Sequence, residues 1–207
     1  MKTGVGERWA RSHVTIANMF NSKVAFFGGG GGLAVIDVSS PAAPKLIKKV
    51  VTGCATSGNT ERKGGGCFAL LGPSGTHIYV VGGDGFAVID ASDLSKPKKI
   101  KEMWLSLCSQ EGGGTLCLMN DQFLCATGGR NGCCFLDISD PADPKKVGSK
   151  DCCVGSMEGI STTCFADDKA YAYVAGGCGL GIIDISEPEK WGYADDDDDI
   201  ACCCVLL

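Results

Sequence analysis

Fourteen cysteines, two histidines and twenty-four carboxylates supply most of the reactive groups in this 207-residue chain. Thiols can pair as disulfides, ligate a metal, carry a lipid or simply fill a core. No C-x-x-C pair stands in the body, and the histidines are His13 and His77 alone, so zinc has poor material here. The opening stretch MKTGVGERWARSHVTIANMF lacks the uninterrupted apolar run of a secretory signal. No segment reaches the roughly 18 apolar residues that would cross a bilayer as a helix. Reduced thiols and a cytoplasmic location are therefore the expectation, with disulfides as the alternative. The last four residues, Cys204-Val205-Leu206-Leu207, read as C-a-a-X with a terminal leucine, the form that carries a geranylgeranyl group. Cys203 and Cys202 stand beside it as palmitate acceptors, and two lipids make a stable anchor, which would give peripheral membrane attachment. Against this, Asp195 to Asp199 lie just upstream and would be repelled by anionic lipid. Both readings of the tail stay open.

Carboxylates and lysines recur with a period. Asp37, Asp90, Asp137 and Asp184 each end a short apolar run, separated by 53, 47 and 47 residues. Each opens a D-x-S turn: D-V-S-S-P, D-A-S-D, D-I-S-D-P and D-I-S-E-P. An aspartate oxygen there can accept the backbone N–H two residues on, so a structural turn role is preferred to a catalytic one. Lys45 and Lys48, Lys98 and Lys99, and Lys145 and Lys146 follow in three of the copies. Rotational symmetry would set these lysines in a ring, either as a site for an acidic protein partner or as charge guarding an exposed strand edge. The net charge of −5 is supplied by the five-aspartate run, which leaves the body near neutral and gives no case for nucleic acid.

These groups need strands to hold them. Glycine is heavy at 31 residues and aromatics make only 7%, a balance that suits short strands and tight turns. The second copy shows four extended runs, CFALL, HIYVV, FAVID and KKIKEM, broken at Gly72–Gly75, Gly82–Gly85 and Ser92–Pro97. Four strands in a period near fifty predict a propeller blade. The third strand is apolar on both faces and carries a small residue at one place in every copy: Ala34, Ala87, Cys134 and Gly181. That predicts burial on both sides between stacked blades. Cys133 and Cys134 occupy positions held by Leu33 and Ala34 in the first copy, so they read as small hydrophobes.

The motifs LAVIDVSSPAAPKLI, FAVIDASDLSKPKKI, CCFLDISDPADPKKV and GIIDISEPEKWG resemble LVIVD repeats, a family of β-propeller repeats. The resemblance covers about residues 11 to 193 and implies fold; it brings no catalytic residues with it. The expected architecture is all-β, a propeller of four repeats near 11–60, 61–110, 111–157 and 158–193, or part of a larger propeller. It occupies residues 1–194, with an acidic, cysteine-rich tail at 195–207. The fourth copy is shortened, and residues 3–10 are expected to supply the outer strand of its blade.

FFGGGGGL lacks the Lys-Ser/Thr of a phosphate loop and sits between strands, and neither G-x-S-x-G nor H-E-x-x-H occurs. No catalytic, cofactor or metal residue is assigned. The leading expectation is a non-enzymatic scaffold binding a protein partner. The alternative is an enzyme or small-ligand binder with a site in the central channel, where His13, Asp121 and Asp167 are the candidates.

Overall fold

The computed structural model describes residues 12–29, 32–54, 67–82, 85–105, 107, 114–128, 133–150, 162–165, 171–176, 179–187 and 203–205. Every element among them is a strand, arranged as four antiparallel sheets of four strands. The first sheet runs β1 (His13–Met19), β2 (Ser22–Gly29), β3 (Gly32–Asp37) and β4 (Lys45–Val50). The second runs β5 (Phe68–Leu71), β6 (His77–Gly82), β7 (Gly85–Asp90) and β8 (Lys98–Trp104). The third holds β9 (Gly114–Leu118), β10 (Phe123–Gly128), β11 (Cys133–Asp137) and β12 (Lys145–Lys150). The fourth holds β13 (Thr162–Phe165), β14 (Tyr171–Gly176), β15 (Gly179–Asp184) and β16 (Cys203–Val205). In each sheet the strands pair in chain order, so every repeat is a meander.

Alternation along β2 and β3 and their counterparts sends successive side chains to opposite neighbours. Val24, Phe26, Leu33 and Val35 of the first sheet pack on Ile78, Val80, Ala87 and Ile89 of the second. The opposite face of the second sheet, with Tyr79, Val81, Phe86 and Val88, meets Leu124, Ala126, Cys134 and Leu136 of the third. Cys125, Cys133 and Phe135 of the third then meet Ala172, Val174 and Ile183 of the fourth. The first strands β1, β5, β9 and β13 lie innermost, each beside the next. The expected two-faced burial is thus met by stacked blades. The recurrent small residue is fully buried in the first three sheets, as Ala34, Ala87 and Cys134. A close approach lies at Gly28, where a Cβ would lie 2.0 Å from the Cys67 carbonyl oxygen at the entry to β5.

Three outer strands share one irregularity. Pairing slips by a residue between Val35 and Ile36, between Val88 and Ile89, and between Phe135 and Leu136. The extra residue opposite is Ile47, Ile100 or Val147, a bulge that increases the twist of the outer strand at the same level in each blade.

The outer place in the fourth sheet, expected for residues 3–10, is held by β16 from the segment read as a tail. Val205, Cys204 and Cys203 pair with Leu180, Gly181 and Ile182. Residues 3–10 lie outside the described residues. The strand pattern could not name the occupant, because an edge recruits its neighbour through backbone hydrogen bonds that any extended segment can supply.

Candidate functional site

Each repeat turns twice at the same end of the molecule, once between its first and second strands and once between its third and fourth. At the second of these turns the four recurrent aspartates do the same thing. Asp37, Asp90, Asp137 and Asp184 each accept the backbone N–H of the serine two residues on, at 2.8 to 2.9 Å. Ser92 and Ser186 also donate their hydroxyls to the same carboxylates, at 2.6 and 2.7 Å. Bonds from Ser39 hold the Asp37 carboxyl below its ordinary pKa, its backbone N–H counting most. Bonds from Ser92 and Ser139, their hydroxyls foremost, do the same for Asp90 and Asp137.

The register places the recurrent lysines across from these aspartates. Lys45 pairs with Asp37, Lys98 with Asp90 and Lys145 with Asp137 at the first rung of each outer strand. The Lys98 ammonium lies 3.5 Å from the Asp90 carboxylate. Lys99 donates to the Thr52 carbonyl at 3.2 Å and pairs with Glu102, tying the second sheet to the exit of the first. Lys48 is exposed, and Lys146 half-buried, further along their strands. The lysines therefore stand on separate outer strands, and four of the six lie beside a carboxylate or a carbonyl of the fold.

Two ties between blades had no signal in the sequence. Lys101 pairs with Asp143 and the Pro144 carbonyl in the turn of the third sheet, and Tyr79 donates to the Pro141 carbonyl at 3.3 Å. Burial pushes the Tyr79 phenol up to about 12, so it stays a donor. Lysine and tyrosine are ordinary strand residues, and only blade stacking brings them to a turn 42 and 62 residues away.

The first turn of the first repeat is unlike those of the second and third. Met19 pairs with Ser22, which leaves Phe20 and Asn21 as a two-residue hairpin loop with φ of 48° and 63°. Two positive φ values define a type I′ turn, where asparagine and glycine are at home and phenylalanine is not. Phe20 is also 55% exposed. Beside it opens a depression of about 620 Å³ lined by Asn18, Phe20, Asn21, Ser22, Lys23 and Ser39. Its floor joins both turns, since Ser39 Oγ accepts the Lys23 N–H at 3.0 Å while the Ser39 N–H goes to Asp37. The M-F-N-S sequence signals a tight turn through its asparagine; nothing in it signals that the phenylalanine would stay in solvent.

The channel candidates do not assemble. His13 begins β1 at the end away from these turns, its ring 4.1 Å from the Phe68 ring on β5. Partial burial lowers its pKa and favours the neutral imidazole. On the same face of β1, the buried Thr15 hydroxyl finds no hydrogen-bond partner among the described residues. Asp121 falls in the exposed turn between β9 and β10 rather than on an inner strand, at the opposite end from His13. Asp167 lies outside the described residues.

Among the described residues Cys54, Cys67, Cys125, Cys133 and Cys134 are buried. Burial raises Cys67 to about 11 and Cys134 to about 12, well above the range of a reactive thiolate. No cluster of three metal-ligating side chains occurs among the described residues. Of the lipid candidates, Cys203 and Cys204 take part in β16 and Cys202 lies outside the described residues.

Four meandering sheets stacked face to face around their first strands define a β-propeller repeat protein. The LVIVD repeat matches at residues 24–52, 73–102, 121–151 and 169–190, and the chain belongs to that family. No curated protein matches it. Among solved structures, a periplasmic gluconolactonase of Pseudomonas aeruginosa has 14% identity and a TM-score of 0.64, over 86% of this chain and 55% of that one. That likeness is one of fold, and the chain spans about half the neighbour's length. A Saccharomyces cerevisiae Dbp5 structure with Nup159 and Gle1 aligns at 8% identity and a TM-score of 0.30, over 90% of this chain and 63% of that one, which carries no argument.

The aspartate turns give the fold an acid limb. With folded pKa values below the ordinary 3.8, Asp90 and Asp137 contribute stability that is complete above that value and is lost as pH falls through the folded pKa. Replacing both by asparagine lowers the urea midpoint at pH 7 and flattens its decline below about pH 4. A variant whose midpoint falls as steeply with acid as the parent's would remove this assignment.

Proposed function

We propose that the chain is a non-enzymatic propeller scaffold whose turn-bearing end, centred on Phe20, binds a protein partner. The single observation behind this reading is Phe20 itself, a large aromatic kept in solvent in a backbone conformation that opposes it. Positive φ costs an L-residue roughly 1–2 kcal/mol, and strain of this kind collects at binding sites. Aromatic anchors beside a shallow depression are what protein interfaces use. Polar neighbours such as Asn18, Asn21 and Lys23 suit the rim of such a contact. The lysines nearest this end already face aspartates, so the reading rests on the aromatic more than on an acidic partner.

Phe20→Asn separates the two effects. Asparagine adopts positive φ readily, so the variant is expected to be as stable as the parent or more stable, by about 1 kcal/mol. A photo-crosslinking phenylalanine analogue at position 20, in cells that make the protein, should give a discrete protein adduct that the same analogue at exposed Asp93 does not. Equal labelling at both positions would sink the reading.

The alternative, a small-ligand site between the inner strands, draws on the neutral His13 against Phe68 and the unsatisfied Thr15 hydroxyl. The gluconolactonase likeness names a first substrate class to try, a sugar lactone. Turnover lost in His13→Ala would favour it, and hydrolysis at the uncatalysed rate would retire it.

Attachment of a lipid at Cys204 competes with β16. Prenyl processing removes the three residues after the cysteine, and with them Val205 from the ladder beside Leu180. A prenyl-sized mass gain on protein from a eukaryotic cell, with those residues gone, would make the tail an anchor. An unmodified mass leaves it as a strand.

A further inference from the structure

One face of the third sheet carries side chains that packing between blades does not call for. The second and third strands of each sheet set two residues diagonally on one face. These are Phe26 and Leu33 in the first sheet, Tyr79 and Phe86 in the second, and Tyr173 and Leu180 in the fourth. The third sheet has Cys125 and Cys133 in those places. Cys117 adds another sulfur, directly across from Cys125 on β9, where the second sheet has Leu70. Three adjoining places on this face thus hold thiols, and the core they share with the fourth sheet is closed by Ala172, Val174 and Ile183.

Bonding singles out one pair. Cys125 and Cys133 are both 0% exposed and are hydrogen-bonded to each other. The thiols at the first junction are engaged with oxygen instead. Cys54 Sγ donates to the Thr52 and Val80 carbonyls at 3.8 and 3.7 Å, and Cys67 Sγ lies 4.0 Å from Thr52 Oγ1. A thiol is a weak hydrogen-bond partner, whereas its thiolate is a strong ligand. Among the described residues no group of three His, Cys, Asp or Glu side chains is set for a metal, so the pair is the unit to consider. Thr127, also 0% exposed, stands directly across the ladder from Cys133. Its Oγ1 is 2.7 Å from Thr115 Oγ1, and with Thr115 as donor the Thr127 hydroxyl can donate to a thiolate at Cys133.

We propose that Cys125 and Cys133 bind one cuprous ion between the third and fourth sheets, held by two sulfurs. Soft thiol ligands in an apolar core select cuprous copper over harder ions that want oxygen or nitrogen. The exchange balances without a change of oxidation state. One thiol gives its proton to solvent and its sulfur bonds the ion, while the second binds as the neutral thiol. The bound unit then carries no net charge, which suits a site where an uncompensated charge is costly. Cys117, half-buried and across from Cys125, offers the ion a first sulfur on its way in.

The test is competition for cuprous ion between the full chain and a chromogenic cuprous chelator, under reducing and anaerobic conditions. The intact chain should retain one ion, and X-ray absorption should show it bound to two sulfurs with no nitrogen or oxygen. Cys125→Ala and Cys133→Ala should each weaken retention by more than about 100-fold, beyond the effect of losing an outer contact. Cys133→Leu, which restores the residue of the first sheet, repeats the measurement should the alanine variant fail to fold. Cys134→Ala removes an equally buried thiol from the other face of β11 and should leave retention unchanged. An intact chain that yields all its copper to the chelator, or retention in the Cys125 and Cys133 variants, would overturn the proposal. So would equal loss in Cys134→Ala or Cys54→Ala, or a copper ion with three or more ligands.

Discussion

A sheet whose two faces are both apolar must be covered twice, and most of this structure follows from that. The middle strands present Phe86 and Val88 to one side and Ala87 and Ile89 to the other, all fully buried. A hairpin with one apolar face could stop at a single partner; these meanders cannot. Repetition of the same unit is the simplest supply of partners, and the alternation of large and small side chains lets each sheet approach the next. Tolerance for cysteine comes from the same constraint. Cys125, Cys133 and Cys134 fill positions where other blades use aromatic or aliphatic residues or alanine; the Cys125 thiol is held protonated by its bond with Cys133 and by burial, and the Cys134 thiol by burial.

The polar recurrences serve the stack. An aspartate at the end of the third strand would be an odd choice were its carboxylate left in water. Bonded to the following serine, it fixes the direction in which the chain leaves for the outer strand. In the first three repeats the lysine that begins that strand stands directly across the ladder from the aspartate. From there Lys99 and Lys101 reach sideways to neighbouring repeats. A motif that looks like a row of acids and a row of bases is, in the folded chain, one turn device repeated, with the ties between blades attached to it.

Where the first repeat departs from the device, function becomes the better explanation. Its opening turn uses Phe20 and Asn21, while the second repeat uses Gly72 to Thr76 and the third Met119 to Gln122. Packing does not ask for an exposed aromatic at positive φ, and hydrogen bonding does not either. By contrast His13 is explained in large part by its contact with Phe68, and Asp121 by its place in a turn.

The sequence alone determined the all-β class, the four-strand unit, the repeat count and the two-faced burial, because these follow from periodicity in residues that are neighbours along the chain. It also placed the aspartate turns, whose partners lie two residues away. It did not determine that Lys101 and Tyr79 would clamp the turn of the next blade, or that Cys203 to Val205 would take the outer edge of the fourth sheet. Nor could it tell that Val14 would be 56% exposed when its counterpart Ala69 is 1% exposed. Those facts depend on which blade stands beside which, and a pattern read along the chain does not record contacts between residues far apart in it.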